Sequence, residues 1–285
     1  MKNSKTLFRD FIAALTVRER EEEKETIASL VFENVLGLTR ARILAGEDIM
    51  LTSGQTERLG EVAERINRHE PIQYILGEAG FYGRIFRVTN HALIPRPETE
   101  MLIDVVKGYV KSNPGQKPKC LDIGTGSGCI PVTLKLEIPS MEVYASDVSP
   151  EALDVARKNA ALHKAEVHFM QHDILKASLP FARFHIIVSN PPYITEKEMA
   201  EMSPNVLDHE PHLALFVPDD DPLLFYKPIV AQSKNALVSG GLLAAEINEN
   251  FGGEVKNLFE ANGFLEVEIV KDLFSKERIV KGIKA

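Results

Sequence analysis

Asn190-Pro191-Pro192-Tyr193 closes an apolar run from Phe184 to Ser189. Two prolines at a strand end ordinarily do no more than stop the strand. These two also bear on chemistry. Proline fixes φ and carries no N–H, so the Pro191 carbonyl is expected to be pinned outward. The Asn190 side chain adds a second oxygen acceptor beside it. Two acceptors at fixed spacing hold both hydrogens of one planar NH₂ group, and Tyr193 is expected to pack on that group's flat face. Such a nitrogen is a poor nucleophile because its lone pair is delocalised. Engaging both N–H bonds aims the third direction at an electrophile and favours a more tetrahedral nitrogen. No general base with a tuned pKa is required, because the substituted nitrogen turns acidic and sheds its proton afterwards. Orientation and dipole placement carry the rate. The pattern predicts methyl transfer to a planar NH₂ group, with adenine, cytosine and glutamine all open as its owner.

A methyl donor has its own expected cradle. Leu121-Asp122-Ile123-Gly124-Thr125-Gly126-Ser127-Gly128 follows a predicted strand and opens a predicted helix. Glycine there lets the backbone turn tightly and a ligand press against it. A dinucleotide fingerprint starting at Gly124 requires Gly or Ala at the place of Cys129, and a phosphate loop requires a closing lysine that this loop lacks. Asp122 repels phosphate and suits a cofactor with an amino group and a sulfonium. Asp147 ends the next strand, about 20 residues on, where an acid binds both ribose hydroxyls. Its ordinary reading is a helix cap, but Ser149 already fills that role. Asp173, after the third strand, suits an adenine amino group, and Ile174 the ring face. Seen alone, Asp173 is an ordinary loop aspartate. Together these strand ends describe S-adenosylmethionine better than NAD. The expected binding set is Asp122, Gly124, Thr125, Gly126, Ser127, Gly128, Asp147, Asp173, Ile174 and Asn190; no metal ligands are expected.

The elements that must position these residues change texture along the 285-residue chain, long enough for about two domains. In the first 70 or so residues, Leu7, Phe11 and Leu15, then Ile27, Leu30, Val31 and Val35, then Leu59, Val62 and Ile66 recur at helical period. Thr52 or Ser53 suits the N-cap of the last of these helices. Arg18 to Glu25 reads as a solvated helix face. From Gln73 to Val88, glycines and aromatics suggest short strands or a hairpin linking two domains. In Ile94-Pro95-Arg96-Pro97-Glu98-Thr99-Glu100, Pro97 and the acids suit a helix start. From Lys119 strands alternate with helices: Cys120 to Ile123, Glu142 to Ala145, Val167 to Met170, His185 to Val188, Leu242 to Ile247, Leu265 to Val270 and Arg278 to Gly282. That alternation predicts an α/β, mostly parallel sheet with helices on both faces.

Lys and Arg number 33 against 41 Asp and Glu, a net charge of −8, whereas wrapping nucleic acid usually demands a basic excess. Two cysteines, Cys120 and Cys129, are too few for a disulfide framework or a four-ligand zinc site. They read as small buried residues in a reducing cytosol. No apolar run reaches the ~18 residues of a membrane span, and the N-terminal apolar stretch is broken by Arg9 and Asp10. A cytoplasmic protein is expected.

The residues resemble the HemK/PrmC family, the protein-(glutamine-N5) methyltransferases of peptide-chain release factors. The resemblance runs from about Pro71 to the C-terminus and the helical start also fits. It rests on Pro71-Ile72-Gln73-Tyr74-Ile75-Leu76-Gly77, Phe81-Tyr82-Gly83, Leu93-Ile94-Pro95-Arg96-Pro97-Glu98-Thr99-Glu100, the glycine loop with Asp147, and Ser189 to Ile194. Glu210-Pro211, Ala214-Leu215 and Lys271-Asp272-Leu273 add to it. It implies a Rossmann-like, seven-stranded class I methyltransferase domain over 93–285, a β-hairpin linker over 73–92 and a small all-helical substrate-recognition domain over 1–72. It also implies methylation, by S-adenosyl-L-methionine, of the glutamine of the Gly-Gly-Gln motif of class I release factors. Asn190 to Tyr193 would hold that glutamine, and Gly124 to Gly128, Asp147, Ile174 and Asn190 would touch the cofactor. Neither direct nucleic-acid binding nor a membrane is expected. Asn248 and Asn250 stand where the family pattern has Gly and Gln, and Phe274-Ser275 where it has Ala-Gly; these are expected to lie away from the clamp. The rival readings are an adenine-N6 methyltransferase on DNA or RNA, a non-catalytic cofactor-binding module and a nicotinamide oxidoreductase.

Overall fold

Strands covered on both faces set the frame. The computed structural model describes all residues except 18, 19, 116 and 180–182. Seven strands form one sheet: β1 Lys119–Ile123, β2 Glu142–Asp147, β3 Val167–Gln171, β4 Phe184–Ser189, β5 Leu237–Glu246, β6 Phe264–Lys271 and β7 Glu277–Lys284. Their order is β6-β7-β5-β4-β1-β2-β3. β1 to β5 run parallel, and β7 runs antiparallel to both its neighbours. Alternate residues of each strand feed two cores. Cys120, Leu242 and Ala244 meet the helices Glu100–Ser112 and Cys129–Glu137. Leu121, Leu243 and Ala245 meet the helices Tyr226–Ala236 and Gly252–Ala261. The helix Pro150–His163 starts as expected, with Ser149 Oγ accepting from the Ala152 N–H at 3.1 Å.

β5 starts five residues before the expected Leu242. Gly240 and Gly241, outside the expected strand, form a bulge: the register on β4 shifts between Leu237 and Leu242, and Gly240 takes φ +76°. The helix Tyr226–Ala236 was not expected. Its Pro228 sits in the first turn, where the missing N–H costs no hydrogen bond.

The chain divides into two compact units, Met1–Gly77 with Ser203–His209, and Glu78–Met202 with Glu210–Ala285. The hairpin Glu78–Phe81/Arg84–Arg87 belongs to the second. Tyr82 and Gly83 turn it, both at positive φ. Gln73 to Leu76, expected in strands, lie instead in the short helix Ile72–Leu76, which Gly77 ends at φ +76°.

The first unit packs Leu7, Phe11 and Leu15 against Leu59, Val62 and Ile66. In its helix Glu21–Leu36 the buried face is Ala28, Val31 and Phe32. Leu30, expected on that face, is 43% exposed, and the small Ala28 takes the buried place beside Val31 and Phe32. The unit is not wholly helical: Lys2–Asn3 pairs with Asp48–Ile49, a ladder too short to leave a periodic signal. Thr52 is the N-cap, its side chain accepting from Gln55 N–H. Glu21, Glu22, Glu23 and Glu25 are exposed, as a solvated face requires, while Arg18 and Glu19 lie outside the described residues. Among the described residues no helix is long and apolar enough to cross a membrane.

Candidate active site

Strand order reverses direction between β1 and β4, and open α/β sheets bind ligands beyond the carboxyl ends of strands at such a point. Ile123 and Ser189 are register partners there, and Ser189 Oγ donates to the Ile123 carbonyl at 2.7 Å. The chain leaves β1 through Gly124, Gly126 and Gly128, at φ +76°, +53° and +77°. The Gly124 and Thr125 N–H groups both donate to the Ser146 carbonyl at 2.9 Å, folding the loop over the end of β2. Asp147 then ties it down: one carboxylate oxygen accepts from Gly126 N–H at 2.8 Å, the other from Ser149 N–H at 2.9 Å. Gly128 is a packing glycine, since a Cβ there would lie 2.8 Å from that of Ala156.

A cavity of about 260 Å³ opens at this point. Gly124, Thr125, Gly126, Ser127, Asp147, Asp173, Ile174 and Asn190 of the expected binding set line it, together with Pro191 and Pro192. Asp122, Gly128 and Tyr193 do not. Asp122 is fully buried in β1 and neither carboxyl oxygen has a hydrogen-bond partner. Burial pushes its pKa up to about 7; the nearby Thr125 hydroxyl, though outside hydrogen-bond geometry, opposes that rise and the Asp147 charge adds to it. Thr125 Oγ1, in the cavity wall, is also buried without a partner. Burial raises the pKa of Asp147 too, against the backbone N–H groups that favour its anion. Asp173 is lowered by its pairing with Lys176, 2.9 Å away, so it already has a cationic partner. Cys129 also lines the cavity, and burial raises its thiol to about 12, which suits an inert buried thiol. Neither cysteine is in a disulfide.

Beyond β4 the tetrapeptide is held from behind. Asn190 Nδ2 donates to Thr99 Oγ1 at 3.1 Å, and the Thr99 hydroxyl donates to Glu246 Oε2 at 2.6 Å. The Tyr193 hydroxyl donates to Glu246 Oε1 at 3.0 Å, which ties the end of the tetrapeptide to this acid. Glu246 ends β5 and is 2% exposed; burial raises its pKa against the pull of the two hydroxyls. The Pro191 carbonyl accepts no hydrogen bond from the described residues. Arg96 lines the cavity and pairs with the buried Glu210 at 2.5 Å, and Glu210 also accepts from the Ile94 N–H. Asn248 does not lie away from the clamp: its Nδ2 donates to the Tyr193 carbonyl at 3.3 Å and to both oxygens of Glu198 at 3.1 Å. Sequence reasoning assigned no role to Thr99, Arg96, Glu210 or Glu246. The available signal for Glu246 was a lone acid ending the apolar strand Leu242 to Ala245.

Profiles of known families match both units: the PrmC N-terminal domain over residues 6–77 and the methyltransferase small domain over residues 98–210. A release factor glutamine methyltransferase of Bacteroides thetaiotaomicron is 45% identical over 260 residues, covering 91% of this chain and 92% of the relative. One of Flavobacterium psychrophilum is 39% identical over 282 residues, covering 99% and 98%. Among solved structures, the human Mettl16 catalytic domain in complex with the MAT2A 3′UTR hairpin 6 superposes with a TM-score of 0.56. It is 15% identical and covers 85% of this chain and 86% of that one, a likeness of fold. A methyltransferase of Pyrococcus furiosus gives 0.52 at 15% identity, covering 82% and 100%. With two family profiles and near-full-length relatives of this identity, the chain belongs to the release factor glutamine methyltransferase family.

Proposed function

We propose that this protein transfers a methyl group from S-adenosyl-L-methionine to the N5 side-chain nitrogen of the glutamine in the Gly-Gly-Gln motif of class I peptide chain release factors. It leaves S-adenosyl-L-homocysteine and works in the cytoplasm, in support of translation termination. The names carried by its relatives support this reading. The observation that carries it for this chain is the meeting of glycine loop and clamp in one cavity, with the Asn190 amide nitrogen spent on Thr99 and its oxygen left to accept.

The residues present fit the cofactor. The loop has three positive-φ glycines, an unpartnered hydroxyl at Thr125 in the cavity wall, and an unpartnered carboxyl at Asp122 below it. Asp147 keeps lone pairs for ribose hydroxyls beyond the two backbone bonds, and Ile174 offers an apolar face. When bound, S-adenosylmethionine supplies an electrophilic methyl carbon on a sulfonium.

Asn190 Oδ1 and the Pro191 carbonyl hold the two N–H groups of the glutamine carboxamide. They hold the nitrogen's remaining direction toward the cofactor side of the cavity and stabilise its growing positive character. Pro192 stiffens the turn that carries both acceptors. Tyr193 acts as an anchor of the turn through Glu246. The helical unit grips the protein substrate.

Mass spectrometry of a purified class I release factor, after incubation with this protein and S-adenosylmethionine, tests the reading. It predicts one added methyl on the Gly-Gly-Gln glutamine. Methylation of adenine in stripped DNA or RNA, with the release factor unmodified, overturns it.

A further inference from the structure

We infer that Glu246 is a positioning residue that decides which end of the Asn190 amide faces the substrate, acting through the Thr99 hydroxyl. The inference rests on the proposed role of Asn190 as an acceptor for a carboxamide NH₂.

An asparagine amide has nearly the same shape in its two orientations, and only its partners tell oxygen from nitrogen. The clamp works in one orientation, since an inverted amide would set NH₂ against NH₂. Thr99 is the partner that the structure gives the inner end of Asn190. A hydroxyl has one proton and can serve either end of an amide. Glu246 removes that freedom. As a carboxylate it only accepts, so the Thr99 proton goes to Oε2, at 2.6 Å. The Thr99 oxygen is left as an acceptor, and it can take the Asn190 NH₂ but not its Oδ1. The amide oxygen must then face outward.

Glu246 is in no salt bridge among the described residues; the Arg278 charge favours its anion from farther off, and Arg278 itself is paired with Asp272. A buried acid without a directly paired cation is costly unless its oxygens are hydrogen-bonded. Both oxygens here are occupied by hydroxyls from the two ends of the clamp: Thr99, on behalf of Asn190, and Tyr193 itself. One acid therefore sets both ends of the tetrapeptide. The backbone carbonyl of Glu246 accepts from the buried Tyr226 hydroxyl at 2.9 Å, which holds the acid in place.

Three variants test this: Thr99→Val keeps the shape and removes the relay, Thr99→Ser restores it, and Glu246→Gln replaces the obligate acceptor by an amide. Release-factor methylation should lose about 10²-fold in kcat in Thr99→Val and Glu246→Gln, the scale of one preorganised polar contact. The dissociation constant of S-adenosylmethionine, measured by calorimetry, should stay within about twofold, which also reports a folded site. Thr99→Ser should keep kcat within about threefold. Thr99→Val added to Asn190→Ala should cost nothing further, because the relay acts only through Asn190.

A second readout needs no turnover. The Asn190 side-chain NH₂ signal in a ¹⁵N spectrum, assigned by its loss in Asn190→Ala, should be protected from exchange in the parent and exposed in Glu246→Gln and Thr99→Val. Parental kcat in Thr99→Val, additive losses in the double variant, or an unchanged Asn190 signal in Glu246→Gln each overturn the inference. A parent that leaves the release factor unmodified overturns the proposed function instead, and the exchange measurement still decides the role of Glu246.

Discussion

Asp122→Asn puts the physics of a buried carboxyl in β1 to a quantitative test. The carboxyl is fully buried without a hydrogen-bond partner, and its pKa is raised to about 7. In the unfolded chain an aspartate titrates near 3.9. Between those two values the folded protein holds a proton that the unfolded chain has lost, so stability falls as pH rises through the window. Below it the group costs nothing, and above it the penalty is complete. A gap of about 3 pKa units corresponds to about 4 kcal/mol, an upper figure because local relaxation reduces the penalty of a buried charge. Asparagine copies the shape of the neutral acid and cannot ionise. The variant's stability relative to the parent should therefore rise by up to about 4 kcal/mol from pH 4 to pH 8.5, without cofactor. Any fixed cost of the amide shifts the whole curve and leaves this slope intact. Asp147, also raised by burial, is present in both proteins, so most of its contribution cancels in the difference. Urea unfolding at a series of pH values reads the slope directly. Parallel curves for parent and variant over that range would refute the buried-charge account. The same variant should bind S-adenosylmethionine more weakly at pH 8, where the parent's carboxylate attracts the cofactor's positive charge.

Three further outcomes follow from the site. Asn190→Ala should lower methylation by about 10²–10³-fold while calorimetry finds cofactor affinity within a few fold; parental turnover would remove the clamp from the mechanism. Asp147→Ala should weaken the cofactor about 10-fold or more, since hydrogen bonds to a charged group contribute ~1.5–3 kcal/mol; calorimetry showing an unchanged constant contradicts the ribose assignment. Gly128→Ala should cost about 2–4 kcal/mol in denaturant unfolding, from its positive φ and the collision with Ala156; a loss below half a kcal/mol would mean the helix yields easily.

The sheet was legible because its strands are apolar runs between turn signals, as in Phe184 to Ser189. Where glycine serves a bulge, as at Gly240, local reasoning began the strand too late. The glycine loop and Asn190-Pro191-Pro192 were legible because their chemistry is contiguous in sequence. The support behind them was not. Thr99 and Glu246 lie 147 residues apart and meet only when β5 carries the acid past the end of β4. The bond from Tyr193 to Glu246 was hidden for the same reason, since the acid lies 53 residues away. Asn248, read as a remote departure, touches the clamp because the chain beyond β5 returns beneath Tyr193.

The pairing of Ile123 with Ser189 has a consequence for precision. The residue after one begins the loop, and the residue after the other begins the tetrapeptide. A Cβ on Gly124 would already sit 4.0 Å from the Asn190 carbonyl oxygen. Neighbouring strands keep a spacing of ~4.8 Å whatever their side chains, so the sheet itself is the ruler between the glycine loop and the tetrapeptide. The calibration is read from backbone geometry, and changes in the peripheral loops can retune which protein is admitted without disturbing it.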